Sequence, residues 1–385
     1  MSHPEELKRL NAEVSSYLGH LSKSQLWVLS LYVLGVVVMH HCGQTRVAAF
    51  LAEILGAKVG TVKQRLRELT YAADAKQGEG RLALEVETCF GPLLGWVLAK
   101  FPAWQRELVL ACDATYLQDR FTILSVSVVL AGCAIPVAWH IQGGSEKGEW
   151  NPIWLRLLSH LHARVPPDWR VFVLTDSGLY SKTLFRAIQA TFHWHPLMRI
   201  NAHSGLFLAH AGNTWQKLSQ MVYKGMTPVC MAGKCFKGNP LTATLIARWD
   251  ADYDKPCLLV TDLHPTEADQ NIYSIRYWIE AGFKDVKRGE LHWEQTKMTC
   301  PKRAERLWLV ISIALLWLIC IGEAAADQPQ WQSLTNSPNQ RPALSRPVLG
   351  WITIIVALFK RQPLPFGYLK SYPWLIPPQQ LNTYP

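Results

Sequence analysis

The feature that most constrains the fold of this chain is an almost unbroken apolar run from Leu307 to Ile321, LWLVISIALLWLICI. Such a run either crosses a membrane or forms a helix that protein covers on all sides. A spanning helix needs about 17–25 apolar residues, and both this run and a similar one at Leu26–Met39 lie at or below that length. A mean hydropathy of +0.03 is also low for a protein with many spans. We expect buried core helices, and membrane insertion is the alternative.

Composition and charge restrict the class of protein. The chain has 385 residues, of which 49% are hydrophobic and 18% are charged, so it has room for two or three domains and differs from disordered proteins. Lys and Arg number 39 against 29 Asp and Glu, which gives a formal net charge of +10. This excess favours a polyanionic partner, either nucleic acid or lipid head groups.

The nine cysteines indicate a reducing compartment. They form no CxxC pair, and the first ten residues, MSHPEELKRL, include acidic residues where a secretory leader would be basic and then apolar. Cys230, Cys235, Cys257 and His264 have the wrong spacing for a zinc knuckle, so we expect free thiols. The expected location is the cytoplasm.

Changes of pattern along the chain predict its organisation. Residues 1–100 read as helices, 101–200 and 263–325 as an α/β core, 201–262 as a β-rich insertion, and 326–385 as a tail with one apolar helix. The core opens with three strands, a helix, a fourth strand and a second helix. Its last part begins with a long helix from about Pro265 to Arg288, with Thr266 and Asp269 spaced like a capping box.

Within the N-terminal part, residues 48–69 form a candidate helix-turn-helix. Ala52, Gly56 and Val62 stand where that motif has a small residue, a turn glycine and an apolar contact. The second helix would present cations to DNA, namely Lys63, Arg65 and Arg67. The alternative is an ordinary helical hairpin whose basic face is solvated.

Two carboxylates end strands that are otherwise apolar. Asp113 follows LVLAC, and Asp176 follows VFVLT. At the ends of neighbouring strands, two such carboxylates can share divalent cations, and their hard oxygen atoms suit Mg²⁺ or Mn²⁺. The alternative for each residue is that it caps the turn after its strand.

The predicted helix after Pro265 adds a third acid in a distinctive setting. Counting 100° per residue places one carboxylate on a narrow stripe with an aromatic residue and three cations: Tyr273, Arg276, Glu280, Lys284 and Lys287. The opposite face is apolar and would pack against the sheet. Pairing of Glu280 with Lys284 four residues later explains part of the stripe, but it does not explain the tyrosine and the arginine.

The spacing Tyr273, two residues, Arg276, three residues, Glu280, six residues, Lys287 resembles a signature of the DDE-class insertion-sequence transposases of the IS-four type. The resemblance covers about residues 107–321. It implies an α/β fold in which an RNase H-like mixed sheet, flanked by helices, is interrupted by a β-rich insertion and preceded by an all-α N-terminal domain. It also implies that the apolar run after Lys287 is a core helix.

The resemblance implies a catalytic site and its partners. The three acids of the family match Asp113, Asp176 and Glu280, which would hold two Mg²⁺ ions, or Mn²⁺, per active site. Such a centre cleaves transposon ends and joins them to target DNA in a cut-and-paste reaction, with a hairpin as one route of release. The implied partner is double-stranded DNA at the nucleoid, as terminal inverted repeats and as target, bound by a dimer on paired ends.

The resemblance further implies contacts with DNA. The residues that would contact it lie around the third acid or on the strand before the insertion: Tyr273, Arg276, Lys284, Lys287 and Arg199. For Tyr273 the alternative is a core aromatic. Trp215 or Trp249 of the insertion would stack on a flipped base, and ordinary packing is the alternative for both. Another RNase H-like nuclease, a repurposed DNA-binding derivative and a membrane protein are the competing functional hypotheses.

Overall fold

A computed structural model describes residues 5–78, 81–146, 148–203, 205–331 and 344–372. Its helices are α1 Glu5–Leu18, α2 Lys23–Met39, α3 Gln44–Leu55, α4 Val59–Thr70, α5 Glu87–Lys100, α6 Trp150–His162, α7 Lys182–Ala190, α8 Gln270–Ser274, α9 Trp278–Lys284, α10 Pro301–Ala325 and α11 Arg346–Phe359. Its strands are β1 Glu107–Leu117, β2 Phe121–Leu130, β3 Cys133–Gly143, β4 Arg170–Thr175, β5 His195–Ile200, β6 Leu206–Ala209, β7 Gln216–Lys217, β8 Met226–Cys235, β9 Leu241–Trp249 and β10 Cys257–Thr261. Residues 332–343 and 373–385 of the predicted tail lie outside the described residues.

The strands of the described residues form one mixed sheet in the order β3-β2-β1-β4-β5-β10-β9-β8-β6-β7. β1, β2 and β3 are antiparallel neighbours, and β4 and β5 follow in parallel on the other side of β1. This order and these directions are those of an RNase H-like core, as the resemblance implied. Every position of β2 is buried, which means that protein covers both faces of the sheet there.

The segment predicted as a β-rich insertion supplies the strands β6 to β10. β10 pairs antiparallel with β5, with Leu258 opposite Ile200. β9 and β8 then continue outward from β10. The insertion therefore extends the core sheet instead of forming a sheet of its own.

The apolar run of the sequence forms the middle of α10. Of the helices in the described ranges, α10 is the one long and apolar enough to cross a membrane by itself. α2 and α3 reach that length and apolarity only when they are counted as one helix, and a 102° bend separates them. In α10, 94% of the most apolar window is buried. It packs against β3, α2, α4, α5 and α11, which supports the expectation of a buried core helix.

Polar residues at the start of α10 attach it to the N-terminal helices and to the sheet. The Arg306 guanidinium donates to the backbone carbonyls of Thr70 at 3.1 Å and Leu84 at 3.0 Å. A carboxylate oxygen of Glu305 accepts from the Ile141 amide at 3.1 Å. The N-terminal helices and the sheet thus both contact the same buried helix, α10.

The crossing of α10 and α11 depends on two glycines. A Cβ atom at Gly322 would lie 2.0 Å from the Arg346 carbonyl oxygen, and one at Gly350 would lie 2.0 Å from the Leu318 carbonyl oxygen. Both obstacles are backbone atoms of the facing helix, so a side chain at either position requires the helices to separate.

We expect Gly322→Ala to lower the free energy of unfolding by about 1–3 kcal/mol, because the added methyl group overpacks the crossing. Chemical denaturation measures this loss. Gly95→Ala is the matched control, because a Cβ there meets nothing within 4 Å inside α5. The control should be neutral or stabilising by up to about 1 kcal/mol. Equal effects at both positions would contradict the close crossing.

The predicted continuous helix from Pro265 to Arg288 is wrong in its start and in its regularity. Asp269, not Thr266, provides the cap, because its carboxylate accepts from the Asn271 amide at 2.7 Å. The Thr266 hydroxyl instead contacts the His264 imidazole in the preceding turn. A 3₁₀ turn separates α8 from α9, and a π turn, Asp285–Gly289, follows α9.

Candidate active site

The first two predicted acids lie at the same level of neighbouring parallel strands, Asp113 within β1 and Asp176 directly after β4. In the pairing of β1 with β4, Cys112 lies opposite Thr175, so Asp113 and Asp176 come next on each strand. The five residues before each acid are buried, and all of them except Thr175 are apolar. The structure thus brings these two carboxylates together.

Arg276 connects the third acid, Glu280, to Asp113. One guanidinium nitrogen of Arg276 donates to Asp113 Oδ2 at 3.0 Å, and the other donates to Glu280 Oε1 at 3.0 Å. The Arg276 side chain is 10% exposed, whereas that of Glu280 is 64% exposed. The guanidinium therefore stands between the first and the third acid, inside the protein.

The charges of this cluster depend on one another. Burial raises the pKa of Asp113, and Asp176 adds to this effect, while Arg276 and the Ala114 amide oppose it. Burial alone would lower the pKa of Arg276, but Tyr273 and the neighbouring acids more than compensate and raise it. Arg276 consequently remains a cation and supplies the positive charge that two closely placed carboxylates need.

The acids open into a cleft of about 510 Å³. Asp113, Asp176 and Glu280 line it together with the cations Lys284 and Lys287. Glu294 lines it as well, and sequence reasoning missed this residue because it follows the π turn and belongs to no recognised spacing. The cleft thus combines four carboxylates with two ammonium groups.

The surroundings of the Asp176 carboxylate indicate whether the residues of this cleft suit a divalent cation. Its Oδ1 atom is buried and has no hydrogen-bond partner among the described residues, with Arg199 Nη1 at 3.9 Å. An unpaired carboxylate oxygen beside further carboxylates is the donor type that Mg²⁺ and Mn²⁺ prefer. Within the described ranges no three acids, histidines or cysteines are grouped closely enough to hold a metal. The donor chemistry of Asp176 therefore fits a divalent cation, while Arg276 pairs with Asp113 and with Glu280.

The side chains of the other predicted residues of the stripe differ in how deeply they are buried. The Tyr273 hydroxyl is buried and donates to the Thr175 carbonyl oxygen at 3.1 Å, so the core alternative describes it better than the phosphate contact. The Lys287 ammonium donates to the Thr115 hydroxyl. Lys284 is exposed. The buried position of Arg276 likewise disagrees with the predicted phosphate contact.

The remaining predicted DNA-contact residues lie beside this cleft. Arg199 stands on β5 next to Asp176 and lines a second cavity of about 330 Å³ together with Arg248 and Lys255. Trp249 ends β9, and its indole nitrogen donates to the Tyr253 carbonyl at 2.9 Å. Trp215 is partly exposed in the loop before β7.

The candidate helix-turn-helix residues form two helices joined by a tight turn. Gly56 ends α3 in the left-handed conformation, with φ of 58°, where glycine carries no steric penalty. α4 buries Val62 and Leu66. Arg65 and Arg67 are exposed on this helix, and Lys63 is partly exposed.

Comparison with known proteins adds an independent observation. Residues 137–317 match a family model described as "Transposase DDE domain". This match supports a DDE-type transposase. The matched range contains Asp176 and Glu280, begins after Asp113, and does not separate the IS-four type from other groups.

Two further comparisons add little. No curated protein matches the chain. Among solved structures, the chain is similar to a piggyBac transposase synaptic complex with hairpin DNA, at 10% sequence identity, over 92% of this chain and 78% of that one. The TM-score is 0.39, which is too low to establish a common fold.

A second group of titratable residues lies on the segment that follows α9. Asp285 begins the π turn after α9, and burial raises its pKa to about 7, with Glu290 adding to the effect and Lys284 opposing it. Glu290 pairs with the imidazole of His40 at the end of α2. A buried acid whose charge is disfavoured therefore lies where the N-terminal helices meet the segment that carries Glu280.

We expect Asp285 to make the folded state less stable as the pH rises from about 4 to 7. Its pKa in the fold exceeds that of the unfolded chain, so the unfolded state loses the proton first and gains stability over this range. Asp285→Asn should raise the melting temperature more at pH 8 than at pH 5. Asp252→Asn, at an exposed aspartate, should change neither value. A pH-independent shift in Asp285→Asn would refute this expectation.

Proposed function

We propose that this protein is a DNA transposase of the DDE class, which cleaves the ends of its element and joins them to target DNA. The observation that carries the proposal is the meeting of Asp113, Asp176 and Glu280 in one cleft of an RNase H-like sheet. The family match over 137–317 supports it independently.

The three acids would hold the divalent cations, Mg²⁺ or Mn²⁺, two per active site. When bound, such ions activate a water molecule and stabilise the leaving oxygen of a phosphodiester. The Arg276 bridge uses one oxygen of Asp113 and one of Glu280, so each carboxylate retains a second oxygen outside it. Arg276 stays protonated and therefore acts as a counter-charge and not as a proton donor.

The proposed partner is double-stranded DNA, as terminal inverted repeats and as target. Exposed Lys284 and the neighbouring Arg199 would attract phosphates to the cleft, and the exposed cations of α4 would hold DNA farther away. Trp215 or Trp249 would stack on a flipped base if release proceeds through a hairpin. Two copies would act on paired ends at the nucleoid.

We expect Asp113→Asn, Asp176→Asn and Glu280→Gln each to lower strand cleavage by more than about 100-fold, since even indirect partners of metal ligands contribute 10–100-fold. The assay uses Mg²⁺ and DNA carrying the repeats that flank the gene. DNA affinity and melting temperature should change little. Asp119→Asn, at an exposed aspartate near the end of β1, is the control and should cleave normally. A substituted acid that still supports the full rate does not belong to the site.

We also expect the cations of α4 to contribute to DNA affinity. Replacing Lys63, Arg65 and Arg67 together with Ala should weaken binding by the full-length protein and reduce the slope of log affinity against log salt by about 0.9 per lost contact. Lys8→Ala with Lys23→Ala removes exposed cations from neighbouring helices and serves as the control. An unchanged slope in the triple variant would leave α3 and α4 as a structural hairpin.

A further inference from the structure

The chain contains a long stretch without any acidic residue. From 177 to 249, between Asp176 and Asp250, the sequence has no Asp or Glu and has eight Lys or Arg residues. This stretch therefore contributes +8 to a net charge of +10. It includes α7, β5 and the strands β6 to β9, so much of the excess positive charge lies in one half of the sheet.

Most of these cations are not neutralised within the protein. In the described part of the chain, acids pair with two of the eight: Asp176 with Arg199 at 3.9 Å and Asp250 with Arg248 at 2.6 Å. The other six are Lys182, Arg186, Lys217, Lys224, Lys234 and Lys237. Like charges destabilise a compact state through their mutual repulsion, and a basic surface attracts polyanions. An uncompensated group of cations therefore indicates a polyanionic partner.

Four of the six cations gather at the turn between β8 and β9. Lys182 of α7 donates to the Asn239 carbonyl at 3.3 Å, and Arg186 donates to the Asn239 side-chain oxygen at 2.9 Å. Both acceptors are neutral, so these two cations hold the turn against α7 and keep their full charge. Lys234, near the end of β8, and Lys237, within the turn, are exposed.

The backbone of this turn is strained. Phe236 has a φ of 66°, in the left-handed region that a bulky residue rarely adopts. Its ring packs against Tyr180, with ring centroids 5.0 Å apart, and the Lys182 ammonium lies 5.2 Å from its centre. Residues held in such conformations cost about 1–3 kcal/mol each and cluster at functional sites. The strain thus supports a function for the turn, in addition to its charge.

The turn borders an open groove of about 710 Å³, which we call the insertion groove. Arg186 and Lys234 line it. Small residues and a threonine of β8 and β9 form part of its lining: Ala232, Gly233 and Thr242. An acid, Asp262, also lines the groove, but its carboxylate lies 3.2 Å from the His195 imidazole and already has a partner. The short side chains leave room for an extended anion to approach the cations.

The insertion groove lies away from the catalytic cleft. β10 is antiparallel to β5, with Thr261 opposite Leu197. Thr175, the residue before Asp176, lies opposite Met198, which is one residue farther along β5. The chain after Thr261, which lines the groove, therefore runs toward the start of β5 and away from Asp176. A ligand in the groove makes a contact separate from the three acids.

We infer that the insertion groove binds the phosphate backbone of double-stranded DNA without regard to sequence, as a second contact outside the cleft. The inference rests on the proposed function for the choice of DNA as the polyanion. Proteins that lie on membranes insert apolar side chains, whereas the large hydrophobic residues exposed in the described ranges all lie outside this groove. Single strands are held by stacking on aromatic rings, and the Phe236 ring beside the groove already packs against Tyr180. Cations and small residues suit a duplex backbone better.

The affinity of the full-length protein for a short duplex of random sequence, measured against salt without added metal, tests the groove. Replacing Lys234 and Lys237 together with Ala should reduce the slope of log affinity against log salt by about 1.8, since each lost phosphate contact removes about 0.9. Lys23→Ala with Lys360→Ala removes two exposed cations elsewhere and is the matched control, which should keep the slope. Equal slopes in the two double variants would overturn the inference.

Protection of lysines from acylation locates the duplex on the unsubstituted protein. Random duplex should protect Lys234 and Lys237 and leave exposed Lys360 reactive. Unprotected groove lysines at saturating duplex would overturn the inference. Protection of the same lysines by vesicles of anionic lipid, with none by the duplex, would overturn it in favour of a membrane surface.

Two sources of duplex share this chemistry, the end of the element and the target. If the groove holds the end, the variant lacking Lys234 and Lys237 should lose affinity for long end duplexes more than for short ones. If it holds the target, end affinity and cleavage should persist while joining to target DNA falls. Either result supports the groove, and no loss in any of these assays overturns it. Protected groove lysines in a protein that cleaves no ends would refute the proposed function and retain the groove.

Discussion

An apolar helix without a polar face must be covered on every side, and this requirement on α10 organises the molecule. β3 lies against it from the sheet, and α2, α4, α5 and α11 cover its remaining surface. The glycines at its crossing with α11 let the two backbones approach closely. Since α2 and α4 bury their apolar residues on the same helix, the N-terminal region and the sheet belong to one core.

The cleft itself works against stability. Burial raises the pKa of Asp113, and repulsion from the neighbouring Asp176 adds to this effect. Arg276 offsets this cost with one guanidinium shared between Asp113 and Glu280. The carboxylates that line the cleft thus have a cation of the protein itself between them. Natural proteins concentrate such locally unfavourable arrangements at functional sites and compensate for them elsewhere, here in the apolar packing around α10.

The features that could be predicted from the sequence are those set by local periodicity. Apolar runs before Asp113 and Asp176 predicted two strands, and these strands are parallel neighbours, although β1 continues past Asp113 to Leu117. The irregular segment around Glu280 was missed, because an ideal helix was assumed where Asp269 starts a short helix and a π turn ends it. The pairing of β10 with β5 was also missed, because strand partners distant in sequence leave no local periodic signal. Glu294 enters the cleft only through that tertiary arrangement.

A spacing pattern states which side chains share a surface, but it does not state what that surface faces. α9 packs against β1, β2 and β3, with Gly282 close enough to Ala134 that a Cβ there would lie 2.7 Å from the alanine methyl. This close approach turns part of the stripe inward. Arg276 and Lys287 then meet Asp113 and Thr115, whereas Lys284, three residues before Lys287, remains exposed. Cations of the same stripe therefore differ in their surroundings, and the depth at which α9 packs decides which of them contacts the protein and which faces solvent.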